Sequence, residues 1–214
     1  MDRNMKAAIF DMDGTLVDSM SEWRRLNIVF VQRMGFTPTP QEEDDLMSLS
    51  GLKAVDYYKE HFGIETTFDE ICEMDANEME RIYGEGLPLK PGVLGYLQRL
   101  RERGVKCVVA TATPSRQALV ALNRVHLIRH FDFIFSTEIL GGHKGETEFY
   151  EKLCAFIGEK PEDCVMFEDG LYAMEGARAA GLGVIGITDA TNVRFREQIL
   201  QTCDKLIDSF DELP

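Results

Sequence analysis

Lys6-Ala-Ala-Ile-Phe10 is a short run with apolar side chains on both parities, cut off by Asp11. Side chains alternate sides along a strand, so such a run belongs to a strand buried on both faces. The signature recurs at 105–110, 133–135, 164–167 and 183–187. Helical patterns lie between these runs. The segment 93–103 places Val93, Leu94, Leu97 and Leu100 on one face. The segment 115–125 follows Pro114, with Ser115 as the expected N-cap. Patterns at 147–157 and 172–180 complete the set, the latter ending at Gly181. Strands alternating with helices predict βαβ units and an α/β fold, a parallel sheet with helices on both faces.

One stretch breaks the alternation. Between about Met20 and Gly86 there are helical patterns at 21–34, 41–48, 53–62 and 68–83 and no convincing strand. The expected organisation is a core domain of residues 1–17 and 87–214 with an inserted all-α domain of residues 18–86. Gly84 to Gly92, rich in Gly and Pro, is the return linker.

The chain has 214 residues, with 23 Lys+Arg against 37 Asp+Glu and a formal charge of −14. That charge repels nucleic-acid phosphates and anionic lipid, so neither is an expected partner. No apolar run approaches the roughly 18 residues of a membrane span. The N-terminal apolar stretch is too short for a signal peptide. Five scattered cysteines (Cys72, Cys107, Cys154, Cys164 and Cys203) form no C-x-x-C pair and suit a reducing cytoplasm.

Asp11-Met-Asp-Gly-Thr-Leu-Val-Asp18 carries the chemistry. Asp11 and Asp13 are two residues apart, so an extended backbone turns both carboxylates to one face at the carboxyl end of the first strand. Open α/β sheets bind ligands along that edge. Two close carboxylates repel and call for a cation or a shared proton. An isolated D-x-D-G is as well read as a solvated acidic turn; the long pattern after a buried strand favours a site.

Asp11-Met-Asp-Gly-Thr-Leu-Val-Asp-Ser19 resembles the first signature of the haloacid dehalogenase-like (HAD) superfamily. Val108-Val-Ala-Thr111 resembles the second motif, a strand ending in a phosphate-binding hydroxyl. Lys144, in His143-Lys-Gly-Glu-Thr147, resembles the third-motif lysine, and Phe167-Glu-Asp-Gly170 the acidic fourth motif. The helical insert after the first strand is similar to the cap of the β-phosphoglucomutase-like branch. The resemblance spans essentially the whole chain and implies a Rossmann-like core carrying a cap domain.

It also implies roles. Asp11 would be the nucleophile that becomes an aspartyl phosphate, and Asp13 the general acid and base. Mg²⁺ would be held by Asp11, the Asp13 carbonyl and Asp169, with Glu168 as a further candidate metal ligand. Lys144, Thr111 and the Ala112 backbone would hold the phosphate. Trp23 and Lys53, in the cap, are candidate substrate contacts. Asp18 and Ser19 read mainly as structural, ordering the loop and capping the first cap helix.

The implied function is a Mg²⁺-dependent phosphatase for a small phosphorylated metabolite, a sugar phosphate or similar, acting as a monomer or weak homo-oligomer. A phosphosugar mutase is the alternative. Mutases of this branch carry a cap His and a cap-loop Arg, where this chain has Trp23 and Lys53. A non-catalytic phosphometabolite-binding protein is a third reading. Asp13 argues against the dehalogenases and phosphonatases of the superfamily, which lack that aspartate.

Two departures stand out. The third motif lacks the prolines frequent after its lysine, which predicts a looser loop with Glu146 adding negative charge near Lys144. Gly170 and Ala173 replace a usual Ser and a frequent Gly. Two decoys are set aside. Gly181-Leu-Gly-Val-Ile-Gly186 matches G-x-G-x-x-G but leads into a strand rather than a helix. His126 and His130 have metal-pair spacing without a nearby third ligand, and read as a helix terminus.

Overall fold

The computed structural model describes residues 5–49 and 51–214, without the side chains of 48, 51, 52, 68, 69 and 72–77. Cys72 therefore lies outside the described side chains. The apolar runs form strands β1 (Ala7–Phe10), β2 (Lys106–Thr111), β3 (Phe133–Ser136), β4 (Cys164–Glu168) and β5 (Gly183–Ile187). They join in one parallel sheet of order β3-β2-β1-β4-β5-β6. The last strand, β6 (Lys205–Ile207), has three residues, too short a run to stand out in the sequence. α10 (Arg196–Thr202), the helix before it, also escaped the sequence reading.

The two parities of β1 feed two separate cores, as expected for a doubly covered strand. Ala8 and Phe10 pack with Val109, Phe167, Leu97 and Phe210 on one face. Ala7 and Ile9 pack with Val108, Met166, Phe149 and Leu153 on the other. Phe10 stacks on Phe167 with ring centroids 4.5 Å apart and planes 12° from parallel. The covering helices are α5 (Val93–Glu102), α6 (Ser115–Arg124), the single turn α7 (Thr137–Leu140), α8 (Thr147–Ile157) and α9 (Leu171–Ala179).

Four helices lie between β1 and α5: α1 (Met20–Arg33), α2 (Pro40–Ser48), α3 (Gly51–Phe62) and α4 (Phe68–Glu85). Both α2 and α4 begin with a reciprocal capping box, Thr39 with Glu42 and Thr67 with Glu70. Phe30, Val31, Leu46, Tyr58, Phe62 and Ile64 make a small core of their own. Leu26, Met79, Ile82 and Tyr83 instead join the sheet-side core with Met12 and Leu16. The outgoing and returning chains run side by side. Asp18 N–H donates to the Pro88 carbonyl at 2.9 Å, and Lys90 N–H to the Leu16 carbonyl at 3.0 Å.

Two local readings are corrected. Ser115 is the first residue inside α6, after Pro114 at the cap, and its hydroxyl pairs with Ser136 at 2.6 Å. Ser19 stands at the N-cap of α1 but makes no capping hydrogen bond with its side chain. The decoys resolve as expected. The second glycine of the G-x-G-x-x-G string opens β5. His126 follows the end of α6 with φ 59°, and His130 closes a short 3₁₀ turn.

Candidate active site

The sheet order reverses at β1. The chain runs from β1 to β2 and β3 on one side, then crosses to β4 on the other. Such a reversal opens a crevice at the carboxyl ends of the strands. Asp11 is the first residue past β1, and its N–H donates to the Phe167 carbonyl at 2.9 Å, extending the ladder toward β4. Glu168 ends β4 and Asp169 follows it, so two strand ends bring three acids together. Asp11, Glu168 and Asp169 are buried, and one carboxylate oxygen of each lies within 4.8 Å of the others. Among the described residues no other cluster of His, Cys, Asp or Glu could hold a metal ion.

Lys144 reaches the same point from the turn before α8. It is buried, with Nζ 2.5 Å from Asp11 Oδ1 and 2.6 Å from Glu168 Oε2. The contact with Glu168 is an ion pair whose angles fall short of a hydrogen bond, since Oε2 has no hydrogen-bond partner. Oε1 of Glu168 accepts from the N–H groups of Asp169 (3.2 Å) and Gly170 (2.9 Å). Glu168 thus has both oxygens committed, one to the loop behind it and one to the lysine.

Three buried carboxylates against one ammonium leave the cluster net negative. Burial and then the neighbouring Glu168 push the Asp11 carboxyl up to about 8, with Lys144 opposing. Burial, Glu168 and Asp11 push Asp169 well above the usual carboxylate range. Burial disfavours the Lys144 charge, but Asp11 and Glu168 outweigh it and hold the ammonium well above its ordinary value. A site with excess buried negative charge and hard oxygen donors suits a hard divalent cation. The loop is shaped for close approach. Gly14 has φ +78°, and a Cβ there would strike the Asp169 carboxylate and Met20.

Asp13 turns its carboxylate toward three hydroxyls. Oδ1 accepts from Ser19 Oγ and from Tyr83 OH, each at 2.6 Å, and Oδ2 accepts from Thr113 Oγ1 at 2.6 Å. The sequence reading missed these roles. Ser19 belongs to the first motif and was read as a helix cap. Thr113 stands two residues past Thr111. Tyr83 is 70 positions away on α4, and no local signal connects it to Asp13. Asn192, also missed, donates to the Asp169 carbonyl at 2.7 Å. Asp18 is exposed and faces Lys90 at 3.5 Å, while Lys90 also pairs with Asp189 at 2.7 Å.

The remaining candidates divide. Thr111 is buried at the end of β2, its Oγ1 accepting from Thr113 N–H at 3.0 Å, and Ala112 is exposed. Both line a cavity of about 370 Å³ with Asp11, Asp13, Lys144 and Asp169, and Trp23 lines its cap side. Lys53 is exposed on α3 and is not among the lining residues; its charge bears on His143. The lysine turn is braced. Gly145 N–H donates to His143 Nδ1 at 3.0 Å, and a Cβ on Gly176 of α9 would strike the Lys144 carbonyl. Glu146 stands exposed at the N-cap of α8, and the Lys144 ammonium pairs with Asp11 and Glu168 instead.

Residues 5–181 match the family model described as haloacid dehalogenase-like hydrolase. The chain is 28% identical over 190 residues to a phosphorylated carbohydrates phosphatase of Thermotoga maritima, covering 88% of each. It is 29% identical over 180 residues to hexitol phosphatase B of Escherichia coli, covering 83% of this chain and 81% of that one. In fold it is similar to β-phosphoglucomutase from Clostridium difficile, with TM-score 0.81 and 18% identity over 98% of this chain and 93% of that one. The chain belongs to the haloacid dehalogenase-like hydrolase family.

Proposed function

We propose that the protein is a Mg²⁺-dependent phosphatase that hydrolyses a small phosphorylated metabolite through a phosphoenzyme on Asp11. The observation that carries this reading is the Asp11 carboxylate at the sheet's switch point, paired at 2.5 Å with Lys144 and clustered with Glu168 and Asp169. In this reading residues 1–17 and 87–214 form the catalytic core and residues 18–86 the cap.

The free oxygen of Asp11 attacks phosphorus and displaces the alcohol, leaving an aspartyl phosphate. Asp13, when protonated, gives its proton to the departing oxygen. The resulting carboxylate then takes a proton from water, which attacks the phosphorus and regenerates Asp11. Lys144 places positive charge beside Asp11, where the transferring oxygens arrive. Thr111 and the Ala112 backbone seat the phosphate at the end of β2. Asp11, the Asp13 carbonyl and Asp169 are the residues that would hold Mg²⁺, while Glu168 keeps Lys144 in place. The bound ion supplies the charge that offsets repulsion between an attacking carboxylate and a phosphate dianion.

The phosphosugar mutase is less well supported. Its substrate carries a second phosphate during turnover, and that group needs a cation at the cap end. Lys144 is the only Lys or Arg among the described residues lining the cavity. The non-catalytic reading leaves the Asp11, Asp13 and Lys144 constellation without a purpose. No described helix is long and apolar enough to cross a membrane. Cys154 and Cys164 are free, with Sγ atoms 3.8 Å apart, and the odd, scattered cysteine set keeps a reducing cytoplasm as our reading. The charge of −14 argues against nucleic acid as a partner, and a monomer or weak homo-oligomer remains our reading.

The deciding experiment pairs phosphate release with rapid acid quench, using ³²P-labelled phosphate monoesters and Mg²⁺. Label trapped on Asp11 with stoichiometric phosphate release is the expected result. Isomerised sugar phosphate without phosphate release would favour the mutase. No turnover and no label on any ester would favour the binding protein.

A further inference from the structure

The cavity has two unlike ends. Its floor, at the strand ends, carries the acids, Lys144 and the threonines described above. Its cap side is built from Met20, Trp23, Leu46, Met47 and Ile71, with Phe195 facing in from the core. Met20 and Trp23 lie on one stripe of α1, three residues apart. The stripe ends at Asn27, whose amide is engaged within the cap: Nδ2 donates to Met47 Sδ at 3.4 Å, and Oδ1 accepts from Tyr58 OH at 3.3 Å. Polar residues line the cavity elsewhere, Gln117, Tyr172, Glu175, Thr191 and Asn192 among them, but a polyol held against Met20, Trp23, Leu46, Met47 and Ile71 would give up water at each hydroxyl and find few partners there. Aromatic and thioether side chains favour a ring instead.

Resting on the phosphatase reading, we infer that the substrate is a phosphate monoester of a primary alcohol carried on an uncharged aromatic or heteroaromatic ring, not a polyhydroxylated chain. The phosphate sits on the floor beside Asp11 and Lys144, and the ring lies against Trp23, Met20 and Met47. The cavity of about 370 Å³ is in the range of small-molecule sites, and its wall offers no cation for a second phosphate among the described residues.

The test holds the leaving group constant. Phosphate release is measured with Mg²⁺ from 2-phenylethyl phosphate, 3-phenylpropyl phosphate and 2-(indol-3-yl)ethyl phosphate. The comparison set is glucitol 6-phosphate, glucose 6-phosphate and glycerol 3-phosphate; all six are esters of primary alcohols. The expected result is a kcat/KM at least about tenfold higher for the best ring ester than for the best polyol ester. Trp23→Ala and, separately, Met47→Gln should each reduce that ratio. Polyol esters cleaved as well as or better than ring esters would overturn the inference while leaving the phosphatase reading intact.

Binding gives a second readout independent of turnover. Trp23 is the single tryptophan of the chain, so its fluorescence reports on the cap wall. In Asp11→Asn with Mg²⁺, 2-phenylethyl phosphate should perturb Trp23 at lower concentration than glucitol 6-phosphate does. Equal affinity for the two would overturn the inference. Absence of phosphate release from every ester, with that binding preference retained, would instead strike at the phosphatase reading alone.

Discussion

The floor and the roof of the cavity are stabilised in opposite ways. The floor is made of single residues at the ends of β1, β2 and β4, and it holds buried charges against one another: Lys144 with Asp11 and Glu168, and Asp169 beside them. Such a cluster is costly to bury and persists because the strands behind it are packed on both faces. The roof is made of helices around a small apolar core, six buried residues of it among those described. Its cavity-facing side chains bear no charge among the described residues. In the proposed reading the chemistry falls to the charged floor and substrate choice to the apolar roof. Tyr83 OH on Asp13 joins them directly.

The largest expected effect breaks the floor. Asp11→Asn replaces the proposed attacking carboxylate with a poor nucleophile, and turnover should fall by about 10³-fold or more on every substrate. Steady-state phosphate release by this variant above about a hundredth of the wild-type rate would remove Asp11 from its role.

Next comes Asp13→Asn, which keeps the backbone carbonyl while removing the acid and base. With an alkyl phosphate, both steps should slow, by about 10²–10⁴-fold. With 4-nitrophenyl phosphate the first step needs little protonation. A burst of nitrophenol followed by slow turnover, with phosphate held on the protein, should then appear. Stopped-flow absorbance with quench labelling checks this, and steady turnover near the wild-type rate would contradict the two-step assignment.

Tyr83→Phe tests the joint between the regions. It deletes one of three hydroxyls on Asp13, an interaction worth about 0.5–1.5 kcal/mol, so a loss of roughly two- to tenfold is expected. Because the hydroxyl acts through Asp13, alkyl phosphates should suffer more than 4-nitrophenyl phosphate. Equal losses on both would make Tyr83 a packing residue of α4 only.

The smallest effect is thermodynamic. The folded state raises Asp11 to about 8 and raises Asp169 as well, so between their unfolded and folded values the native protein binds more protons than the unfolded chain. The stability of the metal-free protein must then fall as pH rises through that window. Burial lowers His130 and His143, and their opposite effect is complete by about pH 7. Calorimetry in chelator should give a lower Tm at pH 8 than at pH 7, each lost kcal/mol being worth about 2–4 °C in a chain of this size. Mg²⁺ should raise Tm more at pH 8, and Asp11→Asn should flatten the slope. A metal-free Tm that rises over this interval would contradict the strained-floor picture.

What the sequence determined by itself is what local rules control. Apolar runs on both parities identified five of the six strands, because burial on both faces leaves no polar position in the run. The four insert helices were legible from their periodicity. Asp11, Asp13, Lys144 and Asp169 were legible because each stands in a motif at a strand end or the turn before a helix. The three-residue β6 was not, since so short a run is defined by the neighbour it pairs with, β5.

Only the tertiary structure decided how the side chains were spent. It gave Ser19 to Asp13 rather than to the helix it precedes, and committed Glu168 to Lys144 and the loop behind it. It left Lys53 off the cavity wall while placing Met20, Met47 and Ile71 on it. It brought Tyr83 across 70 residues to Asp13. Period and propensity are properties of neighbours in the chain, whereas a hydroxyl finds its carboxylate only after separate cores have closed and set the distance between them.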